Sequence, residues 1–324
     1  MKVLVVGGAG YIGSLMCRRL SDAGHQPVVL DDLSTGNKKA LHCDIPFYEG
    51  DLGDQLLLKS IFNKETIELV MHFAAKIQVG ESVEKPDLYY ENNVAKVLRL
   101  LNSMLENNVK RFIFSSTAAV YGQPQYLPVD ENHPTKPINP YGASKRMVEI
   151  ILQDYEHAFG LNSIVLRYFN AAGASLDGTT GEAQRVKQNL IPIVLENVEK
   201  ERTSQIFGTD WDTDDGTCIR DYIHIEDIVA AHLKALEHLS KNEGFDIFNL
   251  GTSEGLSVKQ IVDLVSQISG KEVKSVAAPR RPGDPGKLVA SSQKAYDILG
   301  WQPCHSDHET IIRSAYNWHF NRRY

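Results

Sequence analysis

Tyr141 and Lys145 stand four residues apart, directly after Pro140, a residue suited to the first turn of a helix. On a helix that spacing puts both side chains on one face, so a phenol hydroxyl and an ammonium converge. A phenol with its ordinary pKa of about 10 is a poor base at neutral pH, and a neighbouring cation makes it a usable one. Tyrosine four before lysine also recurs by chance, and alone it names no chemistry. Its weight comes from Ser115-Ser116-Thr117, which ends an apolar run and sets a hydroxyl at the carboxyl end of a strand. The trio predicts proton transfer at a hydroxyl group, with Tyr141 as the base, Lys145 supporting its phenolate and Thr117 hydrogen-bonding the reacting oxygen.

A second constellation lies at the start of the chain. Gly7-Gly8-Ala9-Gly10-Tyr11-Ile12-Gly13 places Gly7, Gly10 and Gly13 between a first strand and a first helix. Backbone without Cβ can approach a pyrophosphate closely there, and the free N–H groups of the helix N-terminus, at Tyr11 and Ile12, attract its charge. Asp31 closes the next strand eighteen positions beyond Gly13. A carboxylate at that point accepts hydrogen bonds from both ribose hydroxyls and repels a 2′-phosphate, which predicts NAD rather than NADP. Lys145 is then also placed to hold the nicotinamide ribose, and the positive ring to favour the Tyr141 phenolate.

Both constellations need strands that end at one edge. Residues 2–6, 27–30, 69–73, 111–115 and 163–167 read as strands, and 12–23, 55–63, 85–107 and 141–159 as helices between them. That alternation predicts an α/β protein with a doubly wound parallel sheet, whose ligands sit beyond the carboxyl ends of the strands. After Asn170 the pattern loosens, with turns at 177–181 and 279–286. We expect residues 1–170 to hold the dinucleotide and residues 171–324 to be mainly a smaller C-terminal α/β substrate lobe, with 220–223 and 245–250 as strands able to return to the main sheet. A chain of 324 residues can build both.

A net charge of -7 argues against a nucleic-acid footprint, so any nucleotide is expected as a small molecule in a local site. Cys17, Cys43, Cys218 and Cys304 are scattered and form no C-x-x-C pair, which points to reduced thiols, a cytoplasmic setting and no structural metal. The opening Met1-Lys2-Val3-Leu4-Val5-Val6 is too short for a signal peptide, and no stretch reaches membrane-span length. His72 and His224 read as structural histidines.

The G-x-x-G-x-x-G spacing resembles the extended short-chain dehydrogenase/reductase superfamily, with its Rossmann-type sheet. Asp31-Asp32-Leu33-Ser34-Thr35-Gly36, Gly50-Asp51-Leu52, His72-Phe73-Ala74-Ala75, Tyr90-Glu91-Asn92-Asn93-Val94, Arg167-Tyr168-Phe169-Asn170, Ile206-Phe207-Gly208, Arg220-Asp221-Tyr222-Ile223-His224 and Pro279-Arg280-Arg281-Pro282-Gly283-Asp284 are similar to motifs of the UDP-galactose 4-epimerase family over the whole chain. The resemblance implies that Asp51 and Leu52 bracket adenine and that Phe73, Ala74, Asn92 and Tyr168 line the NAD site, which Asp32, Ser34, Thr35, Gly36 and Ser115 complete. It also implies that Phe169, Asn170, Asn189, Leu190, Gln205, Ile206, Phe207, Arg220, Arg281, Asp284 and Leu288 receive the UDP-sugar. Arg220 and Arg281 suit a diphosphate, and Asp284 suits ribose hydroxyls. Two positions depart from the family pattern: Lys76 stands one place earlier than the usual lysine, and Leu288 replaces either a tyrosine or a small residue that tunes acceptance of N-acetylated sugars.

The resemblance implies a UDP-glucose/UDP-galactose epimerase that oxidises sugar carbon 4 transiently with tightly bound NAD, in a homodimer packed through the helices at 85–107 and 141–159. Alternatives stay open: epimerases of UDP-N-acetylglucosamine or other nucleotide sugars, and a catalytically silent NAD-binding regulator. A 4,6-dehydratase usually follows the strand-end threonine with acids, whereas Thr117 precedes Ala118-Ala119.

Overall fold

The computed structural model describes residues 1–183, 187–281 and 284–324, so Pro282 and Gly283 of the arginine-rich motif lie outside the described residues. Apolar and β-branched runs form β1 (Lys2–Val6), β2 (Gln26–Asp31), β3 (Phe47–Glu49), β4 (Leu69–His72), β5 (Arg111–Thr117) and β6 (Asn162–Tyr168). The chain continues through β7 (Asn170–Ala172), β8 (Ser204–Phe207), β9 (Ile219–Arg220) and β10 (Tyr222–His224) before β11 (Phe245–Leu250) returns to pair with β6. The seven-stranded sheet has the order β11-β6-β5-β4-β1-β2-β3, and each of its pairings is parallel. Three short strands, β12 (Leu256–Ser257), β13 (Ser275–Ala278) and β14 (Lys287–Leu288), complete the set.

β1 reads as an unbroken apolar run because helices cover both of its faces. Val3 and Val5 join one core with Leu15 and Leu20 of α1 (Tyr11–Asp22) and with residues from a later helix, Ile225–Leu239. Leu4 and Val6 point the other way, towards α2 (Gln55–Lys64) and, past α3 (Val79–Glu84) and α4 (Pro86–Tyr90), towards α5 (Lys96–Glu106) and α6 (Pro140–Phe159). A third core forms where α7 (Leu190–Glu199) precedes α8 (Ile225–Leu239) and packs with α9 (Val258–Ser269) and, beyond α10 (Gln293–Leu299), with α11 (His308–Phe320). Among the described residues no helix is long and apolar enough to cross a membrane.

Two local expectations change. The helix expected over 85–107 is interrupted: α4 and α5 are joined by a π-helical turn at Glu91–Ala95. Such a widened turn carries one extra residue, which redirects side chains on either side. Here it turns Asn93 inward, where its side chain accepts from the Lys76 N–H (2.9 Å) and donates to the Lys76 carbonyl (3.0 Å) and the Ser144 hydroxyl (3.1 Å). The segment 220–223 does not return to the main sheet. It breaks at Asp221 into β9, which lies between β12 and β14, and β10, which pairs with β7.

Candidate active site

β1 delivers Gly7 at φ 80°. A Cβ on Gly7 would lie 2.6 Å from the Ala74 nitrogen, and one on Gly13 only 2.2 Å from the Gly7 carbonyl oxygen. Only bare backbone lets the end of β1, the first turn of α1 and the segment after β4 close on one another. Gly10 caps α1 without a side-chain hydrogen bond, which leaves the first-turn N–H groups to an external acceptor. This cradle opens into a cleft of about 830 Å³ at the carboxyl edge of the sheet, where the strand order reverses between β1 and β4.

Gly7, Gly10, Tyr11, Ile12, Gly13, Asp31, Asp32, Ser34 and Thr35 line one end of the cleft, with Asp51, Leu52, Phe73, Ala74, Lys76 and Asn92 along its side. Asp31 is buried and accepts from the Ala9 N–H at 2.9 Å and the Leu33 N–H at 2.8 Å. Burial pushes its pKa up, and those two N–H groups oppose the rise. Each oxygen keeps a lone pair for a ribose hydroxyl. Asp32 accepts from the Ser34 N–H and hydroxyl. Gly36 does not line the cleft: it packs behind Asp31, where a Cβ would lie 2.8 Å from that carboxylate.

The middle of the cleft holds Ser115, Thr117, Tyr141, Lys145 and Tyr168. α6 starts at Pro140 because Asn139 accepts the Gly142 N–H at 2.8 Å, which sets Tyr141 in the first turn. Lys145, one turn on, is 3% exposed, donates to the Ser115 carbonyl at 2.8 Å and lies 4.7 Å from the Phe114 ring centroid. Burial raises the Tyr141 pKa above the ordinary phenol value, and a hydrogen bond from Thr117 works the other way. Burial lowers the Lys145 ammonium to about 7, against which the Glu149 carboxylate pulls upward.

Glu149, which no motif announced, belongs to a buried network. It accepts from Ser116 at 2.6 Å and from the Arg167 guanidinium at 2.9 and 2.6 Å. Arg167 also donates to the Tyr121 hydroxyl (2.9 Å), which donates to Asn249 (2.7 Å). The network ties β5, β6, α6 and β11 together directly behind the reactive trio. His72 is buried with neither ring nitrogen hydrogen-bonded among the described residues, and burial, then the Lys145 charge, bring its pKa down to about 3. His224 caps α8 by accepting the Glu226 N–H, and burial holds its pKa at about 4. Both are neutral structural groups at neutral pH.

A second cavity of about 510 Å³ adjoins the cleft. Tyr11, Asn170, Asn189, Arg220 and Asp284 line both. Leu190, Gln205, Phe207 and Arg281 face the second cavity, while Phe169 and Leu288 face the first. The Arg281 guanidinium stacks 3.9 Å above the Phe207 ring, and Arg220 reaches Asp284 at 3.7 Å. Asn189 donates to Glu182 at 2.8 Å, and Asn170 donates to the Asp221 carbonyl at 2.9 Å. Ile206 lines neither cavity, because alternation along β8 turns it into the protein interior while Gln205 and Phe207 face the opening. Glu182, Gln188 and Cys218 also line the second cavity and were missed. They sit in irregular segments without periodicity, and no sequence signal marked them.

A single opening thus joins a glycine cradle, a hydroxyl–phenol–ammonium trio and an arginine-flanked pocket. Residues 3–251 match the NAD dependent epimerase/dehydratase family. The chain belongs to that family. Among its relatives is the UDP-glucose 4-epimerase of Halalkalibacterium halodurans, 48% identical over 321 residues that cover 98% of this chain and 96% of that one. The fold agrees with that of the UDP-glucose 4-epimerase from Brucella ovis in complex with NAD, at a TM-score of 0.94, 43% identity and 97% coverage of both chains. The Bifidobacterium longum enzyme in complex with NAD+ and UDP gives a TM-score of 0.94 at 36% identity, over 99% of this chain and 98% of that one. Two residues directly follow the strand-end Thr117. Here Ala118 and Ala119 occupy those positions, and both line the cleft.

Proposed function

We propose that this family member is an isomerase, an NAD-dependent UDP-glucose 4-epimerase that interconverts UDP-galactose and UDP-glucose through a 4-keto sugar. The observation that carries the reading is the meeting of Thr117, Tyr141 and Lys145 in one cleft with Ala118 and Ala119 where elimination of water needs acids. The glycine cradle fits a dinucleotide pyrophosphate, since bare backbone at Gly7 and Gly13 lets the loop close and Gly10 leaves the first-turn N–H groups of α1 to an external acceptor. Gly7, Gly10, Tyr11, Ile12, Gly13, Asp31 and Lys145 hold the dinucleotide in this reading, and residues 1–170 carry most of its contacts. A bound nicotinamide dinucleotide supplies the acceptor and donor for the hydrogen on sugar carbon 4.

Tyr141 takes the proton of the 4-hydroxyl, and Thr117 holds that oxygen by a hydrogen bond. Lys145, in the same cleft, stabilises the phenolate when it carries its proton, since a nearby cation favours the charged form. Carbon 4 becomes planar and loses its configuration. Arg220 and Arg281 grip the diphosphate and Asp284 the uridine ribose, so the sugar alone turns to present its other face. Tyr141 then returns the proton. Residues 171–324 supply most of this grip.

The charged anchors Arg220, Arg281 and Asp284 gather beside the second cavity, which suits a substrate whose nucleotide is held while its sugar turns. Leu288, intermediate in size, lines the sugar end, and acceptance of N-acetylated sugars is read from parallel assays with UDP-galactose and UDP-N-acetylgalactosamine. Formation of UDP-glucose from UDP-galactose supports the proposal; water elimination to a 4-keto-6-deoxy sugar would replace it with a dehydratase. We assign the protein to the cytoplasm and to a homodimer packed through α4, α5 and α6, where Met147 and Ile150 expose apolar surface on α6 at 42% and 44%.

A further inference from the structure

Asp221 interrupts the strand that would otherwise join β9 to β10, and its side chain is fully buried. Oδ1 accepts from the N–H and the hydroxyl of Thr252, both at 2.8 Å, and Oδ2 accepts from the N–H groups of Ala290 (3.1 Å) and Ser253 (3.3 Å). Burying a carboxylate is costly unless its oxygens are met in this way. The surrounding chain is shaped to meet them. Ser253 takes φ 62°, unusual for a residue with a side chain, and a Cβ on Gly251 would lie 2.5 Å from Oδ2. With its oxygens engaged by these donors, Asp221 does not compete for the guanidinium one residue away, which reaches Asp284.

The backbone of the same residue is bonded to residues that line the two cavities. Its carbonyl accepts from both the N–H (3.0 Å) and the side-chain amide (2.9 Å) of Asn170, and its N–H donates to the Leu288 carbonyl at 3.2 Å. Arg220 precedes it and pairs in register with Leu288 across β9 and β14. One residue therefore bonds two cavity residues and adjoins a third, while its carboxylate moors the loop after β11 and the end of β14.

We infer that Asp221 is a positioning residue for the UDP-sugar, fixing Asn170, Arg220 and Leu288 in one frame through hydrogen bonds of its backbone and its buried carboxylate. This rests on the nucleotide-sugar reading of the cavities. Asp221 touches neither the glycine cradle nor the reactive trio, so its loss acts on how the substrate is held and not on the proton transfer.

The test is a split between binding and turnover, read on the dinucleotide-loaded protein. Asp221→Asn keeps the shape but presents an amide N–H₂ to N–H groups. We expect the KM for UDP-galactose and the dissociation constant of UDP to rise about tenfold, the effect of losing roughly one charge-assisted hydrogen bond. The kcat stays within about threefold and bound dinucleotide is unchanged. Thr252→Val, which removes one hydroxyl donor and leaves the carboxylate intact, keeps the test open if the first variant misfolds, and we expect it to raise KM by about two- to fivefold. Unchanged KM in folded variants, or a loss confined to kcat or to dinucleotide content, overturns the proposal. If UDP fails to bind the unaltered protein, the nucleotide-sugar reading falls and this inference falls with it.

Discussion

Tyr141 and Lys145 are each pushed by burial away from the charge state the reaction uses: the phenol pKa rises and the ammonium falls to about 7. Further positive charge entering the cleft therefore favours the phenolate. The absorbance of Tyr141 as tyrosinate, read by difference against Tyr141→Phe, should appear at lower pH with bound NAD than without it; identical titrations would contradict the account. In Tyr141→Phe itself we expect kcat to fall by roughly 10³ with dinucleotide content intact, and a near-normal rate would remove the base from the mechanism. Lys145 also leaves a mark on stability. Its folded pKa lies below its unfolded value of 10.5, so between about 7 and 10.5 the unfolded chain binds the extra proton and stability rises with pH. Below about 7 the charge must be held in the fold and that gain is absent. Lys145→Met should therefore flatten the climb of Tm across that window. The trio was legible in the sequence because its members are tied to element ends by spacing. Glu149 and Asp221 were not, because one acid on a helix or between strands gives no sign that it will be buried.

The elements that carry the site follow from simple patterns where runs are long. β1, β2, β4, β5, β6 and α6 were readable within a residue or two, since a doubly covered strand is apolar throughout and α6 is bounded by Asn139-Pro140 at one end and Gly160 at the other, whereas the three residues of β3 left no run to read. The pairs β7 with β10 and β8 with β13 were not readable, because strands of three or four residues leave no periodic trace and their partners lie far along the chain. The π-helical turn escaped as well. Its cause is a tertiary contact of Asn93 with Lys76 and Ser144, which no helical periodicity records. The glycine cradle makes the sharpest prediction at this scale. Gly13→Ala would drive a methyl to 2.2 Å from the Gly7 carbonyl oxygen, so the loop must open. We expect the purified variant to lose most of its bound dinucleotide, measured by absorbance after denaturation; full occupancy would show that the close approach is not required.

At the scale of the molecule, the division of labour reflects topology. The parallel sheet presents its strand ends where the strand order reverses between β1 and β4, and the later part of the chain folds back over that edge, so Asn170, Asn189, Arg220 and Asp284 line both cavities. The return of β11 to the sheet also lets Asn249 join the network behind the trio. Charge and length alone suited a two-lobed binder of small molecules; the sugar and its nucleotide were readable only through motif resemblance, since no periodicity encodes a pocket assembled from loops. The exposed apolar side chains of Met147 and Ile150 on α6 make a prediction about assembly. Sedimentation should give a dimer, and Ile150→Glu should shift it towards monomer; a monomeric unaltered protein would contradict that proposal. The central claim is that one hydrogen leaves carbon 4 and returns to it within the same cleft. The most direct measurement is incubation of the purified protein, with no added cofactor or oxidant, with UDP-galactose carrying deuterium at carbon 4. We expect UDP-glucose that retains the deuterium at carbon 4; absence of UDP-glucose, or loss of the label to solvent, would overturn the claim.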